Sequence, residues 1–387
     1  MSTSARRIAI NSGGAYVPGW SAVVAGAVVA AHELDWEVFA INNGYEGLLF
    51  SDRYPNGGLT RLTPDSVEGL LSGGGDLTTS RVNPFQVRTV DDDYVEEMDR
   101  SDDLLASAGR ERIDGVISVV GRRAMSVAWK LERKGLKTIC VPESVENDVA
   151  ATAYSFGFNS ALEFTIELLD RIRTAARAGH KIAVVEILGE HAGWLALQAG
   201  IAALADAILI PEIPYDLDRV SQRLLDRGRH PALVVVAEGA RPAEDGRSDT
   251  AKDEAIEARR RALSPGSTAQ VSGQRVIRRS GAAAESVAPE LQRRTNIETF
   301  SFVPDQLLRG GKLTAVDRQI GLAYGAAAVR GLNEGRSGEM VAFKPPHLAY
   351  VPLGQAVNGI RTVPPASEFM VAARALGICL GDHGAAR

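Results

Sequence analysis

Short, continuous apolar runs alternate along the chain with longer segments whose apolar residues recur at helical spacing. The runs, which are typical of strands covered on both faces, occupy residues 7–10, 37–42, 115–120, 137–141, 181–188, 207–210 and 233–237. Residues 21–34 and 161–178 have the spacing of helices. This alternation predicts parallel sheets with right-handed crossovers, and ligand sites at the carboxyl ends of the strands.

One stretch breaks the alternation. Residues 241–294 are rich in alanine, serine, glycine and charged residues. They predict an exposed insertion with a charged helix at 250–263. We expect Arg275, Arg278 and Arg279 to lie on a solvated face of this insertion.

Length, charge and cysteine content narrow the functional classes. A chain of 387 residues favours two domains, and a net charge of −5 disfavours a nucleic-acid partner. The longest apolar stretch near the start, 22–31, is too short to span a bilayer, and the start lacks the apolar core of a signal peptide. Two cysteines form neither a disulfide framework nor a zinc cluster. We therefore expect a soluble cytoplasmic protein with no membrane partner.

The first candidate site is the glycine-rich turn between the first strand and the first helix, at residues 11–19. Gly13 and Gly14 would let the backbone approach a ligand, and the following helix N-terminus would favour an anion. A tight turn without a ligand is the alternative interpretation.

A second candidate site is the acidic segment 143–148, which follows a predicted strand. Carboxylate and hydroxyl groups at the end of a strand suit a general base or a group that binds hydroxyls. The alternative is a loop whose Asn and Asp side chains only satisfy turn backbone. Three further segments join strands to helices or place glycine and basic residues before a helix, at 186–194, 237–240 and 309–318.

The order and spacing of these segments resemble those of the phosphofructokinase family. The segments at 11–19, 44–49, 79–85, 143–148, 154–158, 186–194, 210–214 and 309–318 resemble the family's SGGDAPGMN, DGYEGL, GSSRCNPF, TIDND, YTFGFDTA, MGRHAGW, IPEIP and QRGGSPTAFDR motifs. The match covers most of the chain outside 241–294. Chance similarity does not produce so many ordered matches.

The resemblance implies an α/β fold of two Rossmann-like lobes with mainly parallel sheets flanked by helices. Residues 1–150 with 308–360 would form the donor-side lobe, and residues 151–307 with 361–387 the sugar-phosphate-side lobe. The segment 241–294 would be an insertion in the second lobe. Since family members are usually homodimers or homotetramers, we expect a homo-oligomer here.

The resemblance also assigns site residues. Those implied at the donor phosphates are Gly13, Gly14, Tyr45, Arg81, Gly121 and Arg122, with Tyr45 as a candidate to stack on an adenine. Those implied at the sugar phosphate are Lys181, Gly189, Glu190, Glu238, Gln306 and Arg309. The implied catalytic residues are Ser144, Glu146, Asp148 and Arg123.

Several positions depart from the family pattern. Arg123 stands where the family has its magnesium-binding Asp, Glu146 replaces the catalytic Asp, and Glu190 replaces an Arg that faces the transferred phosphate. An arginine repels a hard cation, so the resemblance implies ATP as a possible donor but makes Mg²⁺ doubtful. Arg122 and Arg123 would either bind phosphate as guanidinium forks or pair with Glu190 and Glu146.

Three functions follow from the resemblance and its departures. The first is a phosphotransferase acting on a phosphorylated sugar or related polyol. The second is a different reaction of specialised metabolism on a sugar phosphate or nucleotide, with acid–base roles for Glu143, Glu146, Glu190 and His191. The third is a catalytically silent regulatory homologue. For His191 itself we expect a structural role at a helix start.

Overall fold

The computed structural model describes residues 6–14, 16–71, 83–91, 94–226, 228, 231–243, 269–270 and 281–382. Its strands are β1 (Arg7–Gly13), β2 (Glu37–Ile41), β3 (Leu59–Leu62), β4 (Phe85–Asp91), β5 (Tyr94–Asp99), β6 (Gly115–Val120), β7 (Thr138–Pro142), β8 (Ile182–Ile187), β9 (Ala207–Leu209), β10 (Ala232–Ala237), β11 (Ala269–Gln270), β12 (Thr299–Phe302), β13 (Glu339–Lys344) and β14 (His347–Pro352).

The α-helices are α1 (Trp20–His32), α2 (Glu46–Leu49), α3 (Pro64–Leu71), α4 (Ser101–Arg110), α5 (Arg122–Arg133), α6 (Phe158–Gly179), α7 (Trp194–Ala202), α8 (Leu217–Asp226), α9 (Ala282–Thr295), α10 (Ala315–Asn333), α11 (Leu353–Val357) and α12 (Glu368–Ala375). Short 3-10 helices occupy Ser51–Arg53 and Asp305–Arg309.

The strands form two main sheets. The first has the order β14-β13-β7-β6-β1-β2-β3, in which only the edge pairs β2–β3 and β13–β14 are antiparallel. The second, β12-β8-β10-β9, is parallel throughout. A small third sheet joins β11, β4 and β5. The predicted α/β fold with mainly parallel sheets and flanking helices is confirmed, while the division into lobes stays a prediction.

The central strands are buried along their whole length, as their apolar runs predict. Every residue of β6, β7, β8 and β10 is buried, because helices cover both faces of each sheet. Helices α1 and α10 approach each other closely on one face of the first sheet. A Cβ added to Gly325 would lie 2.0 Å from the Val23 carbonyl oxygen, so this contact requires glycine. The strands whose carboxyl ends carry the candidate site therefore lie in a closely packed core.

The expectation of an exposed segment at 241–294 is wrong for its last part. Helix α9 packs against the second sheet through Ala284, Val287 and Leu291, which are fully buried. The carboxylate of Glu186 in β8 accepts hydrogen bonds from the backbone N–H groups of Gly281 (2.6 Å) and Ala284 (2.9 Å). The buried carboxyl group of Glu186 is thus hydrogen-bonded by the N-terminus of the helix that covers it. The predicted helix at 250–263 and the three arginines beyond it lie outside the described residues.

Within the described residues, no helix is both long enough and apolar enough to cross a membrane.

Candidate active site

The carboxyl ends of strands from both main sheets face a common region. Residues 121–123 follow β6, residues 143–148 follow β7, residues 188–190 follow β8 and Glu238 follows β10. Arg309 comes from the 3-10 helix Asp305–Arg309. Parallel strands place their carboxyl ends at one edge, and this is why segments far apart in sequence meet here.

The loop after β7 is ordered by the hydroxyl of Ser144. This Oγ donates a hydrogen bond to Asp148 Oδ1 (2.6 Å) and accepts one from the backbone N–H of Glu146 (3.1 Å). Asn147 adopts a positive φ of 53°, and its Oδ1 accepts a hydrogen bond from the Ser155 backbone N–H (2.9 Å). These turn contacts hold the carboxylates of the loop in place, so the polar residues of this segment serve the backbone and the site together.

Glu146 lies at the centre of the site. Its Oε2 accepts a hydrogen bond from the Glu190 backbone N–H (3.2 Å), and its Oε1 lies 3.8 Å from Arg309 Nη2. Burial, together with the charges of Asp148 and Glu238, raises the pKa of Glu146 to about 8, against the opposing charge of Arg309. Its carboxyl group is therefore suited to accept a proton near neutral pH.

A second carboxyl group, that of the buried Glu143, also lies near the charge of Arg309. Glu143 is 5% exposed, and burial raises its pKa well above the usual range, although the charge of Arg309 lowers it. The Nε atom of Arg309 is buried and has no hydrogen-bond partner among the described residues. Arg309 thus provides positive charge to Glu146 and to the buried Glu143, and it keeps donor capacity for a ligand.

Arg122 and Arg123 are the first two residues of α5. The Nε of Arg122 lies 3.9 Å from Asp148 Oδ2, and Arg123 Nη2 lies 3.3 Å from Glu190 Oε2. The Arg122 side chain is 15% exposed and that of Arg123 is 69% exposed. Among the described residues, no group of three or more His, Cys, Asp or Glu side chains is arranged to hold a metal ion. The first turn of α5 therefore presents two guanidinium groups and no carboxylate.

The glycines of the predicted sites have different surroundings. Gly14 has a φ of 133°, and a Cβ there would have open space around it. The backbone N–H of Gly189, whose φ is 154°, donates a hydrogen bond to Glu238 Oε1 (3.2 Å). This bond brings Glu238 next to the segment that contacts Glu146.

Three predicted residues are placed away from this centre. Lys181 precedes the six-residue strand β8, whereas Gly189 follows it, so the two lie about 20 Å apart. The ammonium of Lys181 pairs with Glu298. Gln306 is exposed, and its Nε2 donates a hydrogen bond to Asp305 Oδ1 (3.0 Å). Tyr45 is 6% exposed, and its hydroxyl lies 3.3 Å from Ser118 Oγ. Its ring packs in the core and offers little surface for a base to stack on.

Arg81 lies outside the described residues. His191 is half-buried beside the two arginines of α5. Burial lowers its pKa, and the charges of Arg122 and Arg123 lower it further, whereas Glu190 acts in the opposite direction. A neutral imidazole therefore lies at the edge of the site.

Sequence reasoning missed Arg361, which supports the loop after β7. Its backbone N–H donates to the Asp148 carbonyl (2.9 Å), and its Nη1 donates to the Asn147 carbonyl (3.2 Å). Its guanidinium lies 4.0 Å from the ring centre of Trp194, whose Nε1 donates back to the Arg361 carbonyl (2.8 Å). No motif signals this role, because Arg361 contacts a residue 214 positions away.

The chain is similar to known proteins over nearly its whole length. The phosphofructokinase family model matches residues 7–332. The ATP-dependent 6-phosphofructokinase of Chloroflexus aurantiacus is 34% identical over 387 residues, covering 99% of this chain and 100% of that protein. The pyrophosphate–fructose 6-phosphate 1-phosphotransferase of Amycolatopsis methanolica is 33% identical over 364 residues, covering 93% of this chain and 96% of that protein.

A solved structure also shares the fold. The pyrophosphate-dependent phosphofructokinase of Nitrosospira multiformis superposes with a TM-score of 0.72 at 18% identity, covering 99% of this chain and 94% of that one.

Proposed function

Because the chain belongs to the phosphofructokinase family, we propose that it transfers a phosphoryl group to a hydroxyl of a phosphorylated sugar or related polyol. The observation that carries this proposal is the position of the Glu146 carboxyl group, 3.8 Å from Arg309, in surroundings that raise its pKa to about 8. A base and a phosphate-binding cation side by side are what such an acceptor requires.

Each residue of the acceptor site has a chemical role in this proposal. Glu146 removes the proton from the attacking hydroxyl, and Arg309 binds the phosphate already present on the acceptor. Glu238, which accepts a hydrogen bond from Gly189 N–H, binds a further sugar hydroxyl. Ser144 and Asp148 keep the loop of Glu146 in register. Positioning and charge stabilisation supply most of the catalysis in phosphoryl transfer, and these contacts serve both.

The donor is ATP or pyrophosphate, since relatives named for each are similar to this chain. We favour ATP. Residues at the start of α5 do not fit Mg²⁺, because this ion takes oxygen ligands and the turn presents Arg122 and Arg123 instead. The chemistry of the donor side therefore depends on the arginines of the chain.

Lys181 enters the acceptor site only from a second copy of the chain, because about 20 Å separates it from Gly189 within one copy. A homodimer or homotetramer that brings Lys181 of one copy towards Arg309 of another would add a second cation for the acceptor phosphate.

A catalytically silent homologue is the second candidate. It is favoured by one observation, namely that all three arginines of the site face carboxylates of the same chain, as Arg122–Asp148, Arg123–Glu190 and Arg309–Glu146. In a silent protein these pairs would occupy the donor and acceptor positions permanently.

Turnover of purified full-length protein tests the proposal. Fructose 6-phosphate is supplied with ATP or with pyrophosphate, each with and without Mg²⁺, and the products are followed by phosphorus NMR. We expect a bisphosphorylated product from the wild type and a loss of at least about 100-fold in Glu146→Gln. Calorimetry should show that Glu146→Gln still binds fructose 6-phosphate. The matched control is Glu163→Gln, an exposed change on α6 that should leave turnover unaltered.

The two candidates give different outcomes. Turnover that survives in Glu146→Gln excludes Glu146 as the base. A wild type that binds the sugar phosphate but turns over neither donor supports the silent homologue.

A further inference from the structure

The first turn of α5 has an unusual distribution of charge. The helix of 12 residues begins directly at the carboxyl end of β6, and Gly121, which precedes it, has no side chain to cap its backbone N–H groups. No acidic residue lies in this turn, and its first two positions are Arg122 and Arg123. Two cations at the positive end of a helix are unfavourable by themselves, so an anion bound between them would stabilise this arrangement.

The carboxylates of Asp148 and Glu190 neutralise these two arginines only in part. Asp148 Oδ2 lies 3.9 Å from Arg122 Nε, which exceeds hydrogen-bond length, while Asp148 Oδ1 already accepts a bond from Ser144. Arg122 Nε is buried and has no hydrogen-bond partner among the described residues. Arg123 pairs with Glu190, but its side chain is 69% exposed, and exposed pairs are weak. Both guanidinium groups can thus turn to a more highly charged ligand.

A buried amide points to the same turn. Asn11, in β1, is fully buried, and neither its Nδ2 nor its Oδ1 has a hydrogen-bond partner within the described part of the chain. A Cβ built on Gly13 would lie 3.8 Å from Asn11 Nδ2 and 3.7 Å from the Cβ of Ala124, the third residue of α5. The amide of Asn11 therefore lies near the carboxyl end of β1, against which the first turn of α5 packs. Buried amides are rarely left unpaired, so this one indicates a ligand or a water at the turn.

From these contacts we propose that the start of α5 binds a diphosphate group without a divalent cation. Arg122 and Arg123 together carry the formal charge of one Mg²⁺ ion, and guanidinium forks match phosphate oxygens in geometry. The uncapped N–H groups of α5 add donors along the same direction, and Asn11 adds an amide below them. The ligand is inorganic pyrophosphate or the terminal diphosphate of a nucleotide. This inference rests on the proposed function, because it states how that reaction holds its donor.

Binding measured apart from turnover tests the inference. Pyrophosphate and ATP are titrated separately into the full-length protein by calorimetry, once in EDTA and once in excess Mg²⁺. We expect at least one of them to bind in EDTA at least as tightly as in Mg²⁺, since a ligand-bound cation would be repelled by the arginines. Which of the two binds distinguishes a bare diphosphate from a nucleotide. Failure of both to bind in EDTA overturns the inference.

Variants of α5 sharpen the test. The double change Arg122→Gln with Arg123→Gln should weaken binding in EDTA by more than about tenfold, as expected for the loss of two charged hydrogen-bond donors. The change Arg123→Asp should make binding depend on Mg²⁺, because it restores an oxygen ligand for the ion. The control is Arg133→Gln at the opposite end of α5, where affinity should not change. Thermal unfolding of each variant checks that the helix stays folded, and equal affinity in the folded double variant contradicts the inference.

The inference and the proposed function fail in different ways. Turnover that requires Mg²⁺, together with no donor binding in EDTA, refutes the inference and leaves the phosphotransferase in place. Donor binding in EDTA without any turnover refutes the phosphotransferase and leaves the binding site in place.

Discussion

The charge of Arg309 keeps the pKa of Glu146 below the value that burial and the two nearby carboxylates would otherwise give it. The change Arg309→Gln removes that charge and should therefore raise the pKa of Glu146. At a separation of 3.8 Å the attraction is about 1 kcal/mol in bulk water and about 4 kcal/mol at an effective dielectric constant of 20. One pKa unit corresponds to about 1.4 kcal/mol, so the pKa should rise by about one to three units.

Carbon-13 NMR of protein labelled at the glutamate carboxyl carbons measures this shift without requiring any turnover. The Glu146 resonance is identified by its absence in Glu146→Gln, and its titration is followed from pH 5 upwards in the wild type and in Arg309→Gln. In the wild type we expect a midpoint near the pKa of about 8. If the protein turns over, the acidic limb of its pH profile should move to higher pH in the variant.

The matched control is Arg123→Gln, because Arg123 pairs with Glu190 and does not contribute to the pKa of Glu146. Its Glu146 midpoint should coincide with that of the wild type. An unchanged midpoint in Arg309→Gln would refute the idea that this arginine sets the protonation of Glu146. A downward shift would do so as well.

Three other changes test the structure around the site. Arg361→Ala should lower kcat with little change in KM, because the loop of Asn147 loses its support, and Arg361→Lys should recover only part of the lost kcat, since lysine lacks the planar fork. Steady-state kinetics of both variants would measure these changes. An unchanged kcat in Arg361→Ala would contradict a positioning role. Gly325→Ala should destabilise the protein by about 1–3 kcal/mol or more, because the new Cβ would overlap the backbone of α1. Urea unfolding would measure the change in the free energy of unfolding. An unchanged free energy would contradict the close approach of the two helices. Glu143 has a raised pKa in the folded state, so its protonated form contributes stability that is fully present below its unfolded pKa and is lost as pH rises through the folded value. Glu143→Gln should accordingly unfold with a weaker pH dependence above pH 5 in parallel urea titrations, and an identical dependence would show that Glu143 ionises freely.

Local patterns along the sequence determined much of the fold. The apolar run predicted at 115–120 is β6 itself, and the runs at 37–42 and 233–237 differ from β2 and β10 by one residue at one end. A strand buried on both faces must be apolar at every position, and this requirement is visible without knowledge of its neighbours. The family was likewise predictable, because its motifs are short segments within single strand-to-helix connections.

The sequence was less informative about α9. Its buried face consists mainly of small residues such as Ala283 and Ala284, which lie among charged residues and do not stand out as a core. They are buried because the helix packs against the second sheet, where the carboxyl group of Glu186, about a hundred positions earlier, accepts the N–H groups at its start. Similarly, the motif containing Tyr45 was visible, but the burial of its ring against the core was not.

Only the tertiary structure decided how the charges of the site are paired. The sequence predicted roles for Glu146, Arg309 and Arg123 in one active site, and it left open whether Arg122 and Arg123 would face a ligand or a carboxylate. The structure places Arg309 beside Glu146 and Arg123 beside Glu190, and it adds Arg361 beneath the loop. Hydrophobic periodicity and turn chemistry act over a few residues, whereas the pKa of a buried carboxyl depends on charges that arrive from distant strands and helices when the chain packs.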